Sequence, residues 1–274
     1  MVDSSARRVA FVTGASSGIG AACVRVLASA GWDVLAAARR RERLEELAAA
    51  VRAAVPAARV LPLACDVNSD ASVAAAFAEA RAAFGRLDAL VNNAGFGTYG
   101  AIADTPLERF RENMETNFFG VLRCTQAAIP LLRETARRSQ RRWGASIVMV
   151  SSIVGRRSFP GMSAYCASKF AVEGLAEALR AELAADRIAV SVVNPGVTKT
   201  EFFASSKGER PKEYVPPRRG MAPEDVARVI LKATSRPRRN VYLTLEGKAG
   251  MVVQWFSPGL FDLVMSQVWK RRKR

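Results

Sequence analysis

Thr13-Gly14-Ala15-Ser16-Ser17-Gly18-Ile19-Gly20 comes directly after the apolar run Arg8-Val9-Ala10-Phe11-Val12, and an alanine-rich helical stretch follows it to Ala30. A short apolar run of this kind reads as a buried strand. The glycines let the chain turn tightly and let its backbone come close to a bound group. The helix start offers unpaired N–H groups and the positive end of its dipole. Strand, glycine-rich turn and helix in this order hold a dinucleotide pyrophosphate. The expected contacts are Gly14, Ser16, Ser17, Gly18, Ile19 and Gly20.

Outward from that turn, apolar strands alternate with longer amphipathic runs. The pattern predicts strands over 8–13, 32–38, 59–65, 87–92, 145–151, 188–193 and 240–245. It predicts helices over 18–30, 41–54, 69–84, a pair within 105–140, and 163–185. Such alternation is the signature of an α/β fold with a doubly wound parallel sheet in a single domain. The chain has 274 residues, half of them hydrophobic, which is enough for one substantial core. No internal repeat stands out beyond the alternation itself. Residues 1–248 read as the nucleotide-binding catalytic domain, and 249–274 as an apolar segment with a basic tail. Lys199–Gly220, with Gly208, Pro211, Pro216, Pro217 and many charges, interrupts the alternation as a surface excursion or a lid would.

Tyr165-Cys166-Ala167-Ser168-Lys169 supplies the chemistry. Residues four apart on a helix lie on one face. A phenol titrates near 10, and a neighbouring ammonium favours its anion. Bringing it close to neutrality takes about 4 kcal/mol of differential stabilisation. The chain contains no histidine, which excludes a Ser-His-Asp triad and any histidine-ligated metal site. A lysine-assisted tyrosine is then an available device for proton transfer at neutral pH.

Leu90-Val91-Asn92-Asn93-Ala94-Gly95 and Ile147-Val148-Met149-Val150-Ser151-Ser152 each end an apolar run, as strands that empty into a crevice do. With Asn-Pro-Gly at 194–196, these motifs stand in one order and spacing. From about Arg8 to about Gly247 the chain closely resembles the short-chain dehydrogenase/reductase family in its compact form, a Rossmann fold. The resemblance implies a tetrad. Tyr165 would exchange the proton with substrate. Lys169 would lower the tyrosine pKa and bond the nicotinamide ribose. Ser152 would hold the substrate oxygen, Ser151 being its neighbouring candidate. Asn117 would kink a helix and hold a water joined to the lysine. Further cofactor contacts implied are Asp66 and Val67 at adenine, Asn93, Ala94 and Gly95 along the floor, and Pro195, Gly196 and Val197 beside the nicotinamide. Thr198 or Thr200 would bond the amide or the phosphate. Members of the family commonly form dimers or tetramers through the helices near 105–140 and 163–185, so a homo-oligomer is expected.

Cofactor preference is written at the end of the second strand. NAD-selective folds place an acidic residue there to bond the ribose 2′-hydroxyl. Here Ala38 takes that place and Arg39-Arg40-Arg41 follow. Arginine pairs with a 2′-phosphate in a forked geometry, whereas a carboxylate repels it. The expectation is NADP(H) in preference to NAD(H), with Arg39 the main contact and Arg40 secondary. The reaction expected is hydride transfer between NADP(H) and a carbonyl/alcohol substrate. Phe96, Tyr99, Phe159, Met162 and Phe202 would form an apolar substrate pocket. A non-catalytic NADP(H)-binding regulator is one alternative, and the intact tetrad argues against it; a basic nucleic-acid-binding protein is the other.

The chain carries 41 Lys and Arg against 25 Asp and Glu, a formal +16. Such a field attracts polyanions in general. No basic-aromatic stripe or nucleic-acid motif accompanies it, so no nucleic-acid partner is expected. Cys23, Cys65, Cys124 and Cys166 are scattered and form no C-x-x-C pair, which fits a reducing cytosol and no metal. The first strand is expected to begin almost at once, so no signal peptide is expected, and no apolar run reaches the ~20 residues that span a bilayer. The expected location is cytoplasmic, with peripheral attachment to the inner face of a membrane as one role for residues 251–274. There, Leu260, Phe261, Val264, Met265, Val268 and Trp269 recur at helical spacing before Lys270-Arg271-Arg272-Lys273-Arg274. Packing on the chain's own domain or on a partner subunit is the other role.

Overall fold

The computed structural model of the chain describes residues 7–202, 206–208 and 220–272. Seven strands form one sheet in the order β3-β2-β1-β4-β5-β6-β7. They are β1 (Val9–Thr13), β2 (Asp33–Ala38), β3 (Val60–Ala64), β4 (Ala89–Asn92), β5 (Ala145–Val150), β6 (Ile188–Asn194) and β7 (Asn240–Tyr242). Every pairing is parallel. In β1, β2, β4, β5 and β6 every residue is buried. Strands covered on both faces have no reason to alternate polar and apolar residues, and these do not.

Successive side chains leave a strand on opposite faces, so β1 feeds two cores. Phe11, with Leu35, Leu90 and Ile147, packs on one face against α3 (Asp70–Phe84), α5 (Gly120–Arg138) and α6 (Ser163–Glu182). Phe11 and Phe77 stack there with ring centroids 4.3 Å apart. Val12, with Val34, Val91 and Val148, packs on the other face against α1 (Gly18–Ser29), α2 (Arg41–Ala54) and α7 (Pro223–Ser235). The chain leaves β1 toward β2 on one side, and β4 lands on the other side of β1. At such a switch point a crevice opens at the carboxyl ends of the strands.

The doubly wound parallel sheet expected from the sequence is the fold, with element ends displaced by a few residues. Among the described residues two helices were not expected: the one at Leu245–Phe256, and α7. Its signals are present, with Pro223 in the first turn, Glu224 and Asp225 beside it, and buried Val226, Ala227, Ile230 and Ala233. The charged, proline-rich stretch before it masked them. The expected helix pair near 105–140 is one continuous run: α4 (Leu107–Met114), a π-helical turn (Glu115–Phe119) and α5.

Of the expected lid at 199–220, residues 203–205 and 209–219 lie outside the described residues. The described parts bridge Thr198 to Met221 and Thr98 to Lys207. At the C-terminus, α8 (Leu245–Phe256) runs through position 248, and α9 (Pro258–Arg272) follows. Among the described residues no helix is long and apolar enough to cross a membrane.

Candidate active site

The turn after β1 is locked to β4 by polar bonds. Thr13 Oγ1 accepts from the N–H groups of Asn93 and Ala94 at 2.9 and 3.0 Å, and Asn93 Nδ2 donates to Thr13 O at 2.9 Å. Gly14 sits at φ +65°, and a Cβ there would lie 2.9 Å from Ala94 Cα. A Cβ on Gly20 would overlap Gly14 O. Glycine is therefore demanded by packing at these two positions, which hold the start of α1 against the strand ends. Asn93 is structural as well as exposed to the crevice.

That crevice encloses about 1130 Å³, room for a dinucleotide and a substrate together. Every site residue expected from the sequence lines it except Gly20 and Asn117, which lie behind the lining. At one end are Gly14, Ser16, Ser17, Gly18, Ile19, Arg39, Arg40, Asp66 and Val67; Asn93, Ala94 and Gly95 form the floor. Asp66 is fixed by Ser72 Oγ, which accepts from its N–H at 2.9 Å. Pro195, Gly196, Val197, Thr198 and Thr200 follow β6. Thr198 Oγ1 donates to Gly196 O at 3.1 Å, and Thr200 Oγ1 accepts from Phe202 N at 3.2 Å.

The two arginines after β2 differ. Arg40 lies over the glycine-rich turn, its guanidinium donating to Ser16 Oγ at 3.0 Å and to Ser17 Oγ at 3.0 Å. It also faces Glu201 at 3.4 Å, a carboxylate that Arg43 holds more closely at 2.8 Å. Arg39 is exposed at the crevice and makes no ion pair among the described residues.

At the other end, α6 presents Tyr165 and Lys169 one turn apart, both buried. Ser152 leaves β5 in an extended conformation; its Oγ accepts from Val154 N at 3.3 Å, and its side chain lowers the pKa of Tyr165. Ser151 is tied into the sheet through its N–H to Val193 O at 2.9 Å. Lys169 Nζ donates to Val150 O at 2.9 Å.

Asn117 sits in the π-helical turn, where an extra residue in the helix swings its amide toward the crevice floor. Its Oδ1 accepts from Phe96 N at 3.0 Å, and its Nδ2 donates to Phe96 O at 3.0 Å and to Ser168 Oγ at 3.0 Å. A Cβ on Gly95 would be 2.8 Å from Asn117 Oδ1 and 3.6 Å from Lys169 Nζ. Asparagine, glycine and lysine thus meet at one point.

In the structure burial pushes the Tyr165 phenol above its usual value, opposed by Ser152. Lys169 Nζ is bonded at the end of β5 and lies 5.8 Å from the tyrosine ring centroid. Burial lowers Lys169 itself to about 8, opposed by the Glu173 carboxylate one turn further on. Glu173 is in turn paired with Arg156, Nε to Oε2 at 3.0 Å.

Phe96, Tyr99, Phe159, Met162 and Phe202 all line the crevice beside Tyr165, and the Phe202 and Tyr165 rings lie 5.4 Å apart. The sequence reading missed the charged rim: Glu108, Arg111, Glu112 and Lys207. Lys207 Nζ pairs with Glu112 at 3.1 Å and lies 5.2 Å from the Phe96 ring centroid. No sequence spacing joins positions 95 residues apart. The four cysteines are free and buried, and burial raises each thiol. Among the described residues no cluster could hold a metal ion.

Comparison with known proteins identifies the family. A family model described as short chain dehydrogenase matches residues 8–211. Dehydrogenase/reductase SDR family member 7B of Bos taurus is 34% identical over 275 residues, covering 97% of this chain and 82% of that protein. A short chain dehydrogenase/reductase from Burkholderia phymatum, solved in complex with NAD, superposes with a TM-score of 0.82 at 25% identity, over 93% of this chain and 95% of the other. A short chain dehydrogenase from Burkholderia cenocepacia J2315, solved in complex with NADP, gives 0.78 at 27% identity, over 94% and 97%. With its strand order, its glycine-rich turn and its Ser152–Tyr165–Lys169 arrangement, the chain belongs to the short-chain dehydrogenase/reductase family of oxidoreductases.

Proposed function

We propose that the chain is an NADP(H)-dependent reductase of a hydrophobic carbonyl substrate. The observation that carries this reading is the meeting of Tyr165, Ser152 and Lys169 at the buried, apolar end of a crevice whose other end is the glycine-rich turn and two arginines. The residues present fit the cofactor. Packing requires glycine at Gly14 and Gly20, the N-terminus of α1 faces the crevice, and no acidic side chain stands at the end of β2. Gly14 through Gly20 would hold the pyrophosphate, Arg39 and Arg40 the 2′-phosphate, and Asp66 and Val67 the adenine. Pro195 to Val197, Thr198 and Thr200 would hold the nicotinamide side. When bound, the cofactor supplies the hydride that adds to the carbonyl carbon.

The chain's own groups manage the oxygen. Ser152 Oγ holds the carbonyl oxygen and stabilises the charge that develops on it. Tyr165 Oη gives that oxygen its proton. A phenol titrates near 10, so Tyr165 carries the proton it would give at neutral pH. Lys169, with a pKa near 8, stands one turn from Tyr165 and would return the proton. The apolar wall of Phe96, Tyr99, Phe159, Met162 and Phe202 excludes water and favours a hydrophobic ketone or aldehyde. Exposed Phe119 and Phe170, on the π-helical turn and on α6, support a homo-oligomer built through these helices.

The test is NADPH oxidation followed by absorbance against a panel of lipophilic ketones and aldehydes. Tyr165→Phe should lower turnover about 100-fold or more while leaving cofactor affinity unchanged. Near-normal turnover would remove Tyr165 as the proton donor, and no oxidation with any substrate alongside tight NADPH binding would favour the regulator.

A further inference from the structure

The C-terminal helices are built inside out. On α8, Gly247 and Gly250 turn toward the body: a Cβ on Gly247 would lie 2.9 Å from Ile153 Cγ2, and one on Gly250 would overlap the Arg157 guanidinium. The large side chains Leu245, Val252, Trp255 and Phe256 point outward, with Trp255 84% and Phe256 81% exposed. These positions fall at the spacing of one helical face, so the apolar stripe of α8 faces away from the core. On α9 the anchors are Phe261, 3.7 Å from the Arg157 guanidinium, and Trp269, which a Cβ on Gly161 would approach to 3.0 Å. Leu260, Leu263 and Val264 remain exposed on the other side.

Two cationic residues belong to the same outward surface. Lys248 is exposed between Leu245 and Val252, three and four residues from them; Lys270 is exposed seven residues after Leu263. The sequence continues through Arg271, Arg272, Lys273 and Arg274. An apolar face edged by Lys248 and Lys270 fits a surface that is apolar inside and anionic outside. A second copy of the chain would bring an equal +16 against this edge. Helices of 12 and 15 residues are about 18 and 22 Å long, too short for a ~30 Å hydrocarbon core and long enough to lie along its boundary. On their inner side the helices adjoin the crevice: Ile153, under Gly247, and Phe159 and Met162, beside Gly161, line its apolar end.

The geometry points to α8 and α9 as a docking face for an anionic lipid bilayer, which brings the apolar end of the crevice to the membrane surface. Trp255 and Phe256 enter the interface while Lys248 and Lys270 meet the headgroups.

The test uses the full chain in flotation with vesicles of phosphatidylcholine alone or of equal parts phosphatidylcholine and phosphatidylglycerol. The chain should float with the anionic vesicles and bind them about tenfold or more above the neutral ones. Trp255→Ser/Phe256→Ser should lower that binding about tenfold with an unchanged melting temperature, both side chains being exposed. Lys270→Glu should weaken binding to anionic vesicles only. The proposal fails if the wild-type chain stays in the aqueous fraction. It also fails if sedimentation shows that Trp255→Ser/Phe256→Ser dissociates an oligomer while vesicle binding is unaffected, because a second copy then covers the face. Neither readout uses turnover, so each stands apart from the assignment of the reaction.

Discussion

Replacing Arg39 by Asp should turn the cofactor preference over. Arg39 is exposed at the end of β2 and makes no ion pair among the described residues, so its guanidinium is free to meet a phosphate. A hydrogen bond between charged groups is worth about 1.5–3 kcal/mol. A carboxylate in the same place adds repulsion of about 1 kcal/mol per phosphate charge at ~4 Å in water-like surroundings. Together these give about 2.5–4 kcal/mol, or a fall of about 70- to 1000-fold in the ratio of kcat/KM for NADPH over NADH. Arg40→Ala is the internal comparison. Its guanidinium already bonds Ser16 and Ser17 and faces Glu201, so its loss should move the ratio by about tenfold or less. Initial rates with both cofactors at one ionic strength decide the matter, since exposed charges are screened by salt. A ratio that changes less than about threefold in Arg39→Asp, or a larger effect from Arg40→Ala, would refute the assignment of Arg39 as the main contact.

Stability should respond to pH through Lys169. Its pKa falls from 10.5 unfolded to about 8 folded, so between those values the unfolded chain holds the extra proton and stability rises with pH. The contribution is about 1.4 kcal/mol per pH unit at most. Denaturant midpoints taken across that window should climb in the wild type relative to Lys169→Met, and parallel curves would show that the ammonium is not buried in solution. Gly20→Ala puts a Cβ into Gly14 O, which should cost about 1–3 kcal/mol and lower the melting temperature by several degrees. An unchanged melting curve would mean that the turn is looser than described. Gly174→Ala, on the exposed side of α6 with open space around the new Cβ, should instead stabilise by about 0.5–1 kcal/mol in thermal melts.

What could be read from the sequence depended on how local the determinant was. The turn at Gly14–Gly20 declares itself because strand, glycines and helix are contiguous, and the ends of β4 and β5, just before Asn93 and Ser151, because apolar runs stop there. The pairing of Glu112 with Lys207 depends on a bridge between 98 and 207, which no local pattern encodes. Helix α7 was hidden by its setting, since a proline that opens a helix and prolines that fill a loop look alike until the buried Val226–Ile230 face is placed. Asn117 was found through the family's motif; nothing local distinguishes a π-helical turn from an ordinary helix.

Tyr165 and α8 show a shared limit of pattern reading, which is that spacing fixes adjacency and leaves direction open. Tyrosine and lysine four apart must stand one above the other, and they do. Whether the ammonium touches the phenol or turns to a strand carbonyl depends on where β5 ends, and Val150 O takes it. The phenol's pKa then follows burial. In the same way, the periodicity of α8 gives the membership of its apolar face but not the side on which that face lies. The glycines decide this. Gly247 and Gly250 let the helix backbone press against Ile153 and Arg157, so the small face is the one that fits inside and the large face is turned outward. An apolar stripe with small residues opposite it therefore has two solutions, and the contact distance available beneath the helix selects between them.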